Sequence, residues 1–216
     1  MILHLVTALE RLYAGNASSR EGRACLERQI GYAIDAAVDV IQIREPNIET
    51  GILAGIVRQA VGQAQGTSTR IVVNDRLDVA LACGAAGVHL KGNSIPADAV
   101  RPTVPAGFLV GKSVHSVEEA RSAGPVDYLI AGTAWASASK PGQASLLGVE
   151  GLAAIVRAVR VPVLAIGGVT PERIALARAA GASGIAGIDL FLGPPDVRDG
   201  CRAETLLDRI ATLRGV

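Results

Sequence analysis

The sequence predicts an α/β fold, a single-domain (β/α)8 TIM barrel, from three observations. Short apolar runs alternate with helix-like runs eight times along 216 residues, and eight βα units are the number that closes such a barrel. The chain is 50% hydrophobic but only 3% aromatic, so Val, Ile, Leu and Ala must fill the core, as in a buried parallel sheet. No shift in composition marks a linker, so we expect one domain over residues 1–216. An open doubly wound sheet is the alternative.

Each predicted strand is a run of four or five mostly aliphatic residues, as expected for a strand that is buried on both faces. In chain order the runs are Leu3–Thr7, Val40–Arg44, Arg70–Asn74, Gly87–Leu90, Leu109–Ser113, Tyr128–Gly132, Val163–Gly167 and Gly184–Ile188. The predicted helices are Gly22–Ala37, Glu49–Gln63, Arg76–Cys83, Ala97–Arg101, Val117–Ala123, Gly148–Arg160, Pro171–Ala180 and Ala203–Leu213. Strands that alternate with helices in this way indicate βαβ units and parallel strands.

Charge and hydropathy exclude some classes of partner. The formal net charge of +1 gives no general attraction to nucleic acid or to a membrane surface. The first seven residues, MILHLVT, are too short and uncharged for a signal peptide, and no apolar run approaches the roughly 18 residues of a membrane span. Three cysteines without a CxxC pair favour a reducing compartment and no zinc site. We therefore expect a cytoplasmic protein that binds a small molecule.

Polar residues stand at the carboxyl end of nearly every predicted strand, where they would line the mouth of a barrel. The residues at these strand ends, three glycines among them, are Thr7, Gln42, Arg44, Asn74, Asp75, His89, Ser113, His115, Gly132, Gly167, Gly168 and Asp189. An arginine at such a position is a natural anion ligand. His115 lies between hydroxyl residues, and histidine is the side chain that accepts and donates protons near neutral pH. The alternative is that barrel mouths are wet and tolerate polar side chains.

The stretch Val163–Glu172 predicts a phosphate site. It reads as a buried strand, a Gly167-Gly168 turn and a helix start, with Thr170 as its cap and Pro171 in its first position. Bare N–H groups beside a helix N-terminus bind anions, and barrels commonly build a phosphate site after strands seven and eight. The expected phosphate-binding residues are Gly167, Gly168, Gly187, Ile188 and Asp189. A plain strand-to-helix connection is the alternative.

The lysines give a second signal for an anionic ligand. The chain has 21 basic residues, yet only Lys91, Lys112 and Lys140 are lysine, and all three follow or end strands four to six. Lys140 lies in a loop of small hydroxyl residues that also holds Ser137 and Ser139, and such loops wrap phosphate groups. Chance clustering of three residues is the alternative.

Several motifs in a fixed order carry a family resemblance. They are Gln42–Glu45, Val73–Arg76, Gly84–Leu90, Gly111–Ala120, Lys140-Pro141, Ala165–Thr170 and Gly181–Ile188. From Leu3 to about Phe191 the chain resembles the thiamine phosphate synthase and thiazole tautomerase superfamily. The resemblance implies a (β/α)8 barrel, usually a homodimer, which binds a phosphorylated thiazole in its mouth.

The two branches of that superfamily differ in their chemistry. A synthase joins a pyrimidine pyrophosphate to the thiazole phosphate and expels pyrophosphate, so it needs Mg²⁺ and lysine to neutralise charge. Its first metal-binding aspartate matches Asp75, but the second falls at Ser94 and its lysine falls at Pro46. Asp189 also replaces a serine near the thiazole phosphate, where its charge would repel that phosphate unless it points away.

These departures predict an isomerase, the thiazole tautomerase, which moves a proton and needs no metal or other cofactor. In that hypothesis His115 is catalytic, because it matches the acid/base histidine of that branch. The expected substrate-binding residues are Gln42, Arg44, Asn74, Ser113, Ser137, Ser139 and Lys140. Two alternatives stay open. One is a Mg²⁺-dependent synthase in which Lys91 or Lys140 compensates for Pro46, and the other is a non-catalytic barrel that binds a thiamine precursor or a protein partner.

Overall fold

Eight parallel strands form a closed barrel in the order of the sequence. The computed structural model describes residues 1–13, 15–16, 19–136, 146–192 and 203–215. The strands are β1 Ile2–Val6, β2 Val40–Ile43, β3 Arg70–Asn74, β4 Gly87–Leu90, β5 Leu109–Val114, β6 Tyr128–Ala131, β7 Val163–Ile166 and β8 Gly184–Gly187. Strand β8 pairs with β1, with Gly184 opposite Ile2, and this pairing closes the sheet. The predicted fold class is confirmed, and the open doubly wound sheet is wrong.

The helices lie between the strands at positions close to those predicted. They are α1 Leu9–Leu12, α2 Arg20–Asp35, α3 Thr50–Ala64, α4 Leu77–Ala82, α5 Ala97–Val100, α6 Val117–Arg121, α7 Gly148–Ala158, α8 Pro171–Ala179 and α9 Ala203–Gly215, with 3-10 turns at Arg101–Thr103 and Asp189–Phe191. Helix α2 begins before the predicted Gly22, because the Ser19 hydroxyl accepts a hydrogen bond from the Gly22 N–H (3.0 Å). Helix α1 was not predicted, since four residues are too few to show a period.

Successive strand residues point alternately toward the helices and into the barrel. On β6, Leu129 and Ala131 belong to the large apolar core between strands and helices. Tyr128 and Ile130 belong to a smaller cluster with Leu164 and Ala186 on the other face of the sheet. The aliphatic residues therefore fill the outer layer and part of the barrel interior, where the buried polar residues His4, Gln42 and His89 also lie.

The helices and the cysteines bear on two expectations about the cellular context of the protein. Within the described residues, every helix is too short or too polar to cross a membrane. Cys83 is a buried free thiol, whereas Cys25 is disulfide-bonded. The expectation that the cysteines remain reduced is therefore wrong for Cys25.

Candidate active site

A cavity of about 800 Å³ opens at the carboxyl ends of the strands. Every strand contributes to its lining, either directly or through the residues that follow it. The structure brings together there the predicted site residues Gln42, Arg44, Asn74, Ser113, His115, Gly167, Gly168, Gly187, Ile188 and Asp189. Ser137, Ser139 and Lys140 lie outside the described residues.

A chain of side-chain hydrogen bonds crosses the floor of this cavity from β1 to β3. His4 is fully buried, and this burial lowers its pKa to about 4, so its ring is neutral at physiological pH. Its Nε2 lies 3.0 Å from Gln42 Oε1, which can only accept, so Nε2 carries the hydrogen. Gln42 Nε2 in turn donates to Asn74 Oδ1 (2.9 Å). The chain therefore fixes the Asn74 amide and leaves its Nδ2 group as the donor for a ligand.

A second chain runs inside the barrel from Tyr128 to Ser113. The Tyr128 hydroxyl lies 3.2 Å from His89 Nδ1, and His89 Nε2 lies 2.8 Å from Ser113 Oγ. Burial and the neighbouring His4 lower the pKa of His89 to about 3, while burial raises the pKa of the Tyr128 hydroxyl. A hydroxyl can donate to an imidazole nitrogen or accept from it, and we assign the neutral tautomer in which the Tyr128 hydroxyl donates to His89 Nδ1 and the Nε2–H donates to Ser113. The hydroxyl hydrogen of Ser113 remains free to point at a ligand.

The glycine turn after β7 has the geometry that an anion site requires. Gly167 and Gly168 have φ values of +91° and +61°, which side-chain-bearing residues rarely adopt. A Cβ on Gly168 would lie 2.4 Å from the Ala136 carbonyl oxygen. Arg173 donates to the Gly168 carbonyl oxygen (2.6 Å), and this places a guanidinium beside the turn. The predicted cap needs one correction, because the Thr170 side chain occupies the N-cap position without accepting a hydrogen bond from a backbone N–H of the helix.

The carboxylate of Asp189 is not an unpaired charge in the cavity. It begins the 3-10 turn that follows β8, and its carboxylate forms an ion pair with the Arg11 guanidinium. Arg11 comes from α1, the helix that was not predicted. The expected repulsion between Asp189 and a bound phosphate is thereby reduced, because the partner cation neutralises the carboxylate.

Asp75 and Ser94 contact Lys91, which lines the cavity. Asp75 directly follows β3 and has a φ of +59°, and its N–H donates to the His89 carbonyl oxygen at the end of β4 (2.8 Å). Its Oδ1 accepts a hydrogen bond from the Ser94 hydroxyl, and its Oδ2 lies 2.5 Å from Lys91 Nζ. Both oxygens of this carboxylate are therefore engaged by residues of the chain itself.

Two of the three lysines, Lys91 and Lys112, are among the described residues, and one of them lines the cavity. Lys91 does so, whereas Lys112 lies between Gly111 and Ser113 on β5 and is absent from the lining. Ser113 faces the cavity, so Lys112 must point to the other face of the sheet. The expectation that all three lysines serve the mouth is therefore wrong for Lys112.

His115 is held at the exposed rim after β5. Its Nδ1 bonds the Gly132 carbonyl oxygen, which can only accept, so Nδ1 carries the hydrogen. The backbone N–H of His115 donates to the Glu119 carboxylate (2.7 Å). The ring is thus fixed, with Nε2 as its remaining site for a ligand.

The sequence prediction misplaced Thr7 and missed Glu45 beside it. Thr7 was expected to line the mouth, but it is fully buried, and its hydroxyl donates to Glu45 Oε1 (2.6 Å). Glu45 also accepts from the Leu9 N–H (3.0 Å), and burial raises its pKa to about 6. It braces the loop from β1 to α1, which carries Arg11. The only sequence signal was a carboxylate that directly follows the Gln42–Arg44 strand end.

A solved structure of similar shape comes from the same superfamily. Thiamine phosphate pyrophosphorylase from Pyrococcus furiosus superposes with a TM-score of 0.75 and is 28% identical in sequence. The match covers 97% of this chain and 96% of that one. The similarity therefore extends over the whole barrel.

Relatives of known name correct the predicted reaction. Thiamine-phosphate synthase of Methanoregula boonei is 40% identical over 185 residues, which are 85% of each chain. Thiamine-phosphate synthase of Moorella thermoacetica is 36% identical over 196 residues, 90% of this chain and 92% of its own. The thiazole tautomerase assignment, and with it the isomerase class, is therefore wrong.

The wrong prediction of the reaction treated Pro46 and Ser94 as two separate losses from the synthase pattern. The fold places Lys91 beside Asp75, and spacing along the sequence does not reveal that pair. The proton-transfer role of His115 belonged to the tautomerase reaction and is withdrawn with it. His115 stays a predicted site residue at the rim.

The family follows from the extent of the match. The model of a family described as thiamine monophosphate synthase matches residues 14–191. Those residues include β2 to β8 and most of the cavity lining. This chain belongs to the thiamine monophosphate synthase family.

Proposed function

We propose that this protein is a thiamine-phosphate synthase. In this reaction a bond forms between a pyrimidine and a thiazole phosphate while the bond from the pyrimidine to its pyrophosphate breaks, and pyrophosphate leaves. The names of the relatives at 36% and 40% identity support the assignment. The enzyme class is then transferase.

The observation that carries the proposal is the arrangement of cationic and N–H groups around the cavity. In an eight-stranded barrel, β3 and β4 lie opposite β7 and β8. Arg44 after β2 and Lys91 after β4 line one side, and the glycine turn with Arg173 lines the other. About 800 Å³ between them lies in the upper range of small-molecule pockets. Two anionic groups on two substrates therefore each have a region that suits them.

Within this proposal the thiazole phosphate binds at Gly167, Gly168, Gly187 and Ile188, where backbone N–H groups and the start of α8 favour an anion. The pyrophosphate lies across the cavity at Arg44 and Lys91. Ser113 and Asn74 lie between the two regions, and each offers a donor whose direction is fixed by the buried chains beneath it. Ser137, Ser139 and Lys140 stay predicted substrate contacts. The homodimer and the cytoplasmic location also stay predictions.

Magnesium is the cofactor that the family resemblance implies, and the residues present do not suit it. Asp75 already contacts Ser94 and Lys91 through its two oxygens, and Ser94 stands where a second carboxylate is expected. Mg²⁺ is usually held by one or two carboxylates together with substrate phosphates. A cation bound at Asp75 would have to displace the Lys91 ammonium. We therefore derive no step of the reaction through a metal at this position.

The test measures pyrophosphate release from the pyrimidine pyrophosphate and the thiazole phosphate together, and from each alone, with Mg²⁺ present. We expect release only with both substrates. Ser113→Ala should lower the coupling rate by roughly tenfold to a hundredfold, because a preorganised donor to the anionic group is lost.

Ser122→Ala is the matched control for that substitution. The Ser122 hydroxyl donates to the Glu118 carbonyl oxygen at the end of α6 (2.9 Å), away from the cavity, so the rate should not change. Folded protein that binds both substrates but releases no pyrophosphate would refute the assignment.

A further inference from the structure

We infer that the ammonium group of Lys91, held by Asp75, takes the place of a divalent cation at the rim of this barrel, so that the protein binds the pyrophosphate group without a metal. The inference rests on the proposed function for the identity of the substrate. It concerns the residues of this chain that neutralise the charge of that substrate.

The position of Lys91 is fixed by its own backbone. The Lys91 N–H donates to the Ser94 hydroxyl (2.7 Å), and the Ser94 N–H donates to the Lys91 carbonyl oxygen (3.2 Å). The Ser94 hydroxyl then donates to Asp75. Ser94 therefore closes the turn after β4 and connects it to the carboxylate that binds the lysine.

The charges of the cluster balance in the same way as those of a metal site. Two carboxylates and one divalent cation have no net charge, and neither does one carboxylate with one ammonium. Because Ser94 stands in place of a second carboxylate, the cluster has one negative charge fewer than such a metal site. The Lys91 ammonium supplies one positive charge, where a divalent cation supplies two. A divalent cation added at Asp75 would face the Lys91 ammonium at short range, and this repulsion opposes its binding.

Stability alone does not account for the pair. The side chains of Lys91 and Asp75 are 50% and 27% exposed, and exposed ion pairs contribute little to folding. Lys91 lines the cavity together with Arg44. A lysine oriented by a neighbouring carboxylate at a cavity wall is a preorganised partner for an anion.

The first experiment measures the affinity for inorganic pyrophosphate by calorimetry in metal-free buffer with chelator. We expect wild-type protein to bind, Lys91→Arg to keep most of the affinity, and Lys91→Ala to lose at least tenfold. Lys112→Ala is the matched control, because Lys112 points away from the cavity, and it should bind as wild type does. Equal binding by wild type and Lys91→Ala, or no binding until a metal is added, would overturn the inference.

The second experiment titrates Mn²⁺ and measures the bound ion by electron paramagnetic resonance. We expect wild-type protein to bind Mn²⁺ only weakly. The double substitution Lys91→Ala, Ser94→Asp should bind it at least tenfold more tightly, because two carboxylates then share the site without a competing ammonium. Tight Mn²⁺ binding by wild type would contradict the inference.

These outcomes separate the inference from the proposed function. Pyrophosphate and Mn²⁺ binding do not require the second substrate, whereas the coupling assay does. Failure to couple, with pyrophosphate binding that still depends on Lys91, would reject the synthase and keep the anion site. Coupling in a protein whose pyrophosphate binding requires a metal would do the reverse.

Discussion

At the scale of single residues, burial decides which way the hydrogen bonds of the mouth run. His89 is almost completely buried, and its pKa of about 3 keeps it neutral. A neutral imidazole has one donor and one acceptor. In the assigned tautomer the Tyr128 hydroxyl donates to Nδ1 and the Nε2–H faces Ser113, which leaves the serine hydrogen for the ligand. A tyrosine well below the surface thus orients a hydroxyl at the ligand.

Tyr128→Phe tests this chain of orientation. The substitution removes only the hydroxyl, so the ring still fits beside Gly111, where a Cβ would lie 2.1 Å from the ring carbon Cζ. We expect His89 to populate both neutral tautomers, and the affinity for the thiazole phosphate to fall several-fold. Stability should fall by about 1 kcal/mol, as for one lost hydrogen bond.

The measurement is the nitrogen chemical shift of the His89 ring in labelled protein. Tyr32→Phe on α2 is the control, and it should leave the shifts and the affinity unchanged. A His89 ring with its hydrogen still on Nε2 alone in Tyr128→Phe would show that the tyrosine does not set the tautomer.

At the scale of elements, the phosphate turn is built jointly by the segments after β6 and β7. The Ala134 and Trp135 N–H groups donate to the carbonyl oxygens of Ile166 (2.8 Å) and Gly167 (3.0 Å). The Arg173 guanidinium lies 5.9 Å from the centroid of the Trp135 ring, close enough for a cation–π contact. The two segments therefore hold one another, and the turn has no room for a side chain.

Two glycines of the chain, Gly168 and Gly62, should respond to substitution by alanine with opposite changes in stability. Gly168→Ala should destabilise the protein by roughly 1–3 kcal/mol, because alanine at positive φ is strained and its Cβ would meet carbonyl oxygens. Gly62 lies exposed inside helix α3, and an added Cβ there would meet nothing within 4 Å. Gly62→Ala should stabilise by roughly 0.5–1 kcal/mol.

Chemical denaturation of the two variants and wild type gives both values. Phosphate affinity adds a functional readout, which should fall for Gly168→Ala and stay constant for Gly62→Ala. Unchanged stability and phosphate affinity in Gly168→Ala would mean that the turn is neither tightly packed nor part of the anion site.

At the scale of the whole molecule, the interior of the barrel couples its stability to pH. His4 and His89 are neutral when folded, with pKa values lowered from 6.5 to about 4 and about 3. A lowered histidine pKa means that the unfolded chain binds protons first, so stability is lost as the pH falls below 6.5. Glu45 acts in the opposite sense, because its pKa is raised from 4.5 to about 6, and the folded state gains from protonating it.

We therefore expect a net loss of stability between pH 7 and pH 4.5. At about 1.4 kcal/mol per pKa unit, the two histidines lose about 5 kcal/mol and Glu45 returns about 2 kcal/mol, a net loss of about 3 kcal/mol. His4→Gln should reduce that loss to about 1 kcal/mol, since one of the two protons is no longer taken up on unfolding.

Urea unfolding at several pH values measures the loss. Ser122→Ala is the control, because it removes no titratable group, and its acid limb should match that of wild type. A free energy of unfolding that stays constant from pH 7 to pH 4.5 would contradict the account of the buried histidines.

The architecture could be predicted from the sequence because each βα unit carries its own local signal. Aliphatic runs marked the strands, and the Gly167-Gly168 pair marked the turn. The contacts that decide the chemistry depend on register instead. Gly111 pairs with His89 on one side and with Tyr128 on the other, and the spacing between those residues in the sequence does not reveal this.

The same reasoning explains why the reaction was mispredicted. Asp75 and Lys91 are 16 positions apart in the sequence, and their contact exists because β3 and β4 end side by side. The sequence shows Pro46 and Ser94 as departures from the synthase pattern. It shows Lys91 only as one of three lysines. Departures from a motif carry little weight until the fold shows which side chains stand around them.

The central claim is that the cavity joins two phosphorylated substrates, and a single-turnover reaction tests it most directly. Enzyme in excess is mixed with the pyrimidine pyrophosphate and the thiazole phosphate, and the products are identified by mass spectrometry. The account predicts thiamine phosphate and pyrophosphate in a ratio of one to one, with the yield reduced in Ser113→Ala. Recovery of both substrates unchanged from folded protein that binds them would contradict it.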